Sequence, residues 1–137
     1  MASWRDELTE AVKSKVEREA EEAARHRKRV EEALATAETA MKLGVDSLRY
    51  TRDKLAEKGQ PVELLEEPDK NRLSLRDVSL TLELVRESAV IKATFGEGKP
   101  REFDLAKDRH IAPNDVEEYM GRRALELVRA AYKANPW

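Results

Sequence analysis

Cysteine is absent from the 137 residues, which excludes disulfides, thiolate chemistry and Cys-ligated zinc. Aromatic side chains make up 5% of the chain against 39% charged ones, the composition of a helical rod more than of a large core. Charge of one sign is not in excess. Residues 1–58 carry thirteen basic and thirteen acidic side chains, and the remainder thirteen and fifteen. That balance provides neither a basic stripe for nucleic acid nor an acidic tail. No apolar run is long enough to span a bilayer, and Arg5, Asp6 and Glu7 interrupt any signal-peptide core. No membrane insertion is expected, and cytoplasm is the expected location.

Helix breakers are also scarce, and their placement is informative. Between Ser3 and Lys58 there is no proline and one glycine, Gly44. The intervening residues are mostly Ala, Glu, Lys, Arg and Leu, the strongest helix formers. Ser3 and Asp6 have capping-box spacing, while Gly59 and Pro61 suit a helix end. One helix over residues 1–58 would be roughly 85 Å long at about 1.5 Å per residue. Gly44 permits a break at a cost of about 1 kcal/mol, but the apolar pattern stays in phase across it, so continuity is predicted.

That pattern opens with Trp4, Leu8, Val12 and Val16 at steps of four. It then alternates threes and fours. Ala20, Arg27, Leu34, Met41, Leu48 and Leu55 fall on one core position of a heptad, and Val16, Ala23, Val30, Ala37, Gly44 and Thr51 on the other. A mean repeat of 3.5 residues describes a left-handed coiled-coil seam. Its alanines make the seam weak, at about 0.8 kcal/mol per missing methylene. Val16, Ala20, Ala23, Val30, Leu34, Ala37, Met41, Leu48 and Leu55 are the predicted oligomerisation residues, with a homodimer the favoured assembly.

Residues 60–72 read as a connector with Pro61 and Pro68, pinned by Val62, Leu64 and Leu65. At Leu73 the period changes to two. Leu73 and Leu75 alternate in one parity and Val78, Leu80, Leu82 and Leu84 in the other, so Arg76–Asp77 marks a bulge or a turn. Ala89 to Phe95 form a second strand, Gly96-Glu97-Gly98 a hairpin turn, and Phe103 with Leu105 a third strand. Asn114 and Glu117 are spaced as a capping box for a helix over about 115–134, whose apolar stripe is Val116, Met120, Ala124, Leu127, Val128 and Ala131. The expected fold is α+β: a long coiled-coil-like helix (1–59), the connector (60–72), and a three-stranded antiparallel meander whose one greasy face is covered by the C-terminal helix (73–137).

Chemistry-bearing motifs are thin. Arg25, Arg27, Lys28 and Arg29 form the one basic cluster. Three of its cations have carboxylates four residues away (Glu21, Glu31, Glu32), and no aromatic interleaves it for base stacking. Asp104, Asp108 and His110 are the nearest approach to an acid–base or metal set, without ligand spacing. Trp4 and Trp137 are candidate anchors in a partner's groove. No Ser–His–Asp set, P-loop or HExxH motif is present, so no enzyme, metal or cofactor is expected. The expectation is a structural or adaptor protein that self-associates and docks to an unidentified protein partner in a larger assembly. The order helix, three strands, helix is similar to that of the YbaB-type nucleoid-associated proteins. That similarity, one of element order alone, implies as the alternative a dimeric nucleic-acid-associated protein. A secretion or folding chaperone is the third possibility.

Overall fold

The computed structural model describes residues 3–134, and the candidate anchor Trp137 lies outside them. Helix α1 runs unbroken over Trp4–Glu57. Ser3 closes its start: the Ser3 hydroxyl accepts from the Asp6 amide, and the Asp6 carboxylate accepts from the Ser3 amide. At the other end Gly59 takes φ 72°. The Gly59 amide donates to Ala56 O and that of Gln60 to Leu55 O, the paired bonds that satisfy orphan carbonyls after a left-handed residue.

Five strands follow, not three: β1 (Val62–Glu66), β2 (Lys70–Leu75), β3 (Val78–Val85), β4 (Val90–Phe95) and β5 (Arg101–Asp104). They pair in sequence order, every neighbour antiparallel. The phase slip at Arg76–Asp77 is a two-residue turn, with Leu75 opposite Val78 and Arg76 at φ 55°. The stretch read as a connector holds β1 and the start of β2. Its Val62 and Leu64 face Leu75 and Leu73 across the pair, so they are core-facing strand positions. The three-strand element order behind the nucleoid-protein likeness is therefore not the order observed.

Helix α2 spans Pro113–Ala134. Its cap differs from the expected Asn114–Glu117 box: the Asp115 carboxylate accepts from the Ala112 amide at 2.8 Å, and Pro113 occupies the first turn, where its missing N–H is harmless. Both helices lie against one face of the sheet. The inward strand positions Leu73, Leu75, Leu80, Leu82, Ile91, Ala93 and Phe103 meet Ala37, Ala40, Met41 and Leu48 of α1 and Val116, Met120, Ala124, Leu127 and Ala131 of α2 in one core. The opposite face is polar, with Arg72, Thr81 and Thr94 in one cross-strand row and Glu83, Lys92 and Glu102 in another. An antiparallel sheet wet on one side shows this alternation.

Gly44 leaves no room for a side chain. A Cβ there would stand 2.6 Å from Leu82 Cδ2, 3.5 Å from Met120 Cγ and 3.6 Å from Val116 Cγ1. The missing side chain lets α1 approach both the sheet and α2.

Candidate interaction interface

Helix α1 has two unlike halves. Every residue from Ser3 to Arg29 is exposed, and Val30 is the first that is not. These first turns form an arm projecting roughly 39 Å from the globular head at about 1.5 Å per residue. Along the arm Trp4, Leu8, Val12 and Val16 are 68%, 55%, 55% and 59% exposed. The direction in which they point follows from helix geometry. Thirty-six residues are ten turns of 3.6, so Trp4, Leu8 and Val12 share a direction with Ala40, Gly44 and Leu48, all three buried in the core. The arm thus continues the face that α1 buries in the head, with no other described residue of its own chain beneath it.

The predicted seam is divided by this boundary. Ala37, Met41, Leu48 and Leu55 are buried by the chain's own sheet and α2, and Val30 and Leu34 are half-buried. Val16, Ala20 and Ala23 stay exposed. Leu8 and Val12 lie outside the heptad positions, yet they are bare as well; the opening run of fours is their signal.

Among the basic residues, Arg25 pairs with Glu21 at 3.5 Å, and Arg27 and Lys28 are exposed. Arg29 lines a shallow cavity of about 430 Å³ with Lys107, Asp108, Arg109 and His110. Folding has therefore placed cations from the loop before α2 beside one member of the helical cluster, a juxtaposition 78 residues apart in sequence. In that loop the Asp104 carboxylate accepts from the Lys107 amide at 3.1 Å and the Asp108 carboxylate from the His110 amide at 3.0 Å. Both acids shape the turn, and His110 stands exposed. No group of three His, Cys, Asp or Glu side chains placed to hold a metal occurs among the described residues. No helix among them is long and apolar enough to cross a membrane.

Two further features lie on the head. A groove of about 900 Å³ runs between the end of α1 and α2, lined by Ser47, Tyr50, Thr51, Gly121, Leu125 and Val128 among others. Tyr50 and Leu125 are 66% and 49% exposed on it. Across the molecule, ion pairs fasten α1 to the β1–β2 end of the sheet. Arg86 bridges Asp69 and Glu38 at 2.8 Å each, and Arg49 joins Glu66 and Asp46. Hydrogen bonding to Asp69, then to Glu38, raises the Arg86 pKa above its ordinary value; the bond to Glu66 does the same for Arg49. At the far side Arg123 donates to the Tyr119 hydroxyl at 3.0 Å and lies over the Phe95 ring, tying α2 to β4.

Comparison with protein-family models, curated proteins and solved structures produced no match to this chain.

Proposed function

We propose that this is a non-catalytic structural or adaptor protein, which self-associates through the N-terminal arm of α1 and presents its globular head to a larger assembly. The supporting observation is the bare line of Trp4, Leu8, Val12 and Val16, each more than half exposed. Full burial of one such side chain is worth about 1.5–3 kcal/mol, and large exposed apolar patches on soluble proteins mark interaction sites. The lower half of the predicted seam needs no second chain, so the oligomerisation surface narrows to these four residues with Ala20 and Ala23.

Sedimentation velocity over a range of concentrations tests this reading. Wild-type protein should pass from one chain to a dimer, and the double variant Leu8→Glu/Val12→Glu should weaken the association at least tenfold while keeping the helical circular dichroism of the head. A single-chain mass at hundreds of micromolar would remove the proposal.

The gathering of Arg29, Lys107 and Arg109 at one cavity favours nucleic-acid association as the second reading. With three cations in contact with phosphate, the slope of log affinity against log salt would be about −3. Retardation of duplex DNA at low salt that is lost in Arg29→Glu/Arg109→Glu would select it; no retardation at any salt would end it.

A further inference from the structure

We infer that two copies of this chain pair antiparallel through their arms, placing the two heads at opposite ends of an elongated dimer. The inference rests on the self-association proposed above and adds what the sequence left open, the orientation of the pair. Orientation follows from where the head sits on α1. Trp4, Leu8 and Val12 point the same way as Ala40, Gly44 and Leu48, and that side of α1 is filled from Val30 onward by the chain's own sheet and α2. A partner helix lying on the stripe and running parallel would reach residue 30 with its own course blocked, because helices in contact lie only 8–10 Å apart. Each copy would drive its helix into the other's head. Run antiparallel, the partner helix reaches its own Ser3 cap before it meets the head.

The distribution of side-chain size selects the register. Large residues stand at the start of the stripe (Trp4, Leu8) and small ones at its end (Ala20, Ala23), with two valines between. Trp4 and Ala20 lie about 160° apart around the helix, so Ala23 is the small residue of the partner within reach of Trp4, and antiparallel pairing about a twofold axis near residues 13–14 sets the two level. Leu8 then falls between Val16 and Ala20, and the valines meet at the axis. A parallel pair would instead stack Trp4 on Trp4 and leave alanine against alanine, a gap with no side chain to fill it. The overlap, Trp4 to about residue 24, stops short of Val30. The pairing is isologous and closes after two copies.

The absence of cysteine makes the test direct. Lys28 is exposed and lies on the side of the helix away from Val12 and Val30, so Lys28→Cys accepts a spin label without touching the stripe. Pulsed electron–electron resonance on the labelled protein should give a separation of about 45 Å, twice the 14–15 residues to the axis at about 1.5 Å each. A parallel pair would give less than about 25 Å, from axes 8–10 Å apart with labels outside. Sedimentation of the same sample separates the failures. A dimer with a short label distance overturns the antiparallel arrangement and leaves self-association standing, whereas a single-chain mass overturns both. Trp4→Ala should weaken the labelled dimer at least tenfold; an unchanged dissociation constant would remove Trp4 from the interface and sink the register.

Discussion

Gly44 shows most clearly how one residue carries two meanings. In the sequence it is a hole in a heptad seam and a possible break; in the fold it is a point of close approach, where a Cβ would meet Leu82, Met120 and Val116. Gly44→Val should destabilise the head by about 1–3 kcal/mol through overpacking, measured as a lowered urea midpoint, although glycine itself is a poor helix former. Leu48 is fully buried, and Leu48→Ala should cost about 2–5 kcal/mol in the same measurement. Leu8→Ala provides the contrast: at 55% exposure it should leave the unfolding of the single chain within about 0.5 kcal/mol while weakening self-association. Arg86 belongs with the surface residues. Its bonds to Asp69 and Glu38 raise its pKa, and because a guanidinium is charged at ordinary pH in any case, these bonds add no pH dependence near neutrality.

Among the elements, α1 behaves as two segments joined without a break. Its head half, 37–57, is held by core packing; its arm has the Ser3 cap and helix propensity but is exposed throughout among the described residues, and most helical stability in proteins comes from packing. In dilute solution amide hydrogens of residues 7–28 should exchange far faster than those of 40–55, and raising the concentration should slow the arm alone. Equal protection of both halves in the single chain would contradict this division. The strands show where local reading stops. β1 has two core-facing residues, Val62 and Leu64, in five, bracketed by Pro61 and Pro68, and becomes recognisable only beside β2. The Arg76–Asp77 turn was visible as a slip in parity, but Arg76 at φ 55° and Ala89 at φ 54° lack the glycine or asparagine that announces a tight turn. Gly96, at φ 60°, had that signal, and its hairpin was legible.

For the whole molecule, the decisive change is the size of the core. Three strands and one helix would make a thin core whose stability called for a second chain. Five strands covered by α2 and half of α1 enclose nineteen core side chains among the described residues, so the head closes its core without a second chain. The Leu8→Glu/Val12→Glu variant should therefore unfold thermally at the midpoint of dilute wild-type protein, with the same cooperativity. A midpoint that collapses in the variant would mean that the head depends on its partner. The proposed antiparallel dimer would hold its heads apart, with about 50 Å from Val30 to Val30 at 1.5 Å per residue, as a spacer with identical surfaces at both ends.

Local chemistry determined the long helix, its Ser3 and Gly59 ends, the face of α2 and the alternation of the strands, because each depends on residues within a few positions of one another. The same chemistry shows that residues 16–55 bear an apolar stripe, but not what covers it. That was decided by tertiary structure: the sheet and α2 lie beneath α1 only from Val30 onward, so identical helical periodicity becomes core in one half and bare surface in the other. Contacts between residues as distant as Gly44 and Met120 leave no local pattern, and it is these contacts that divide the helix.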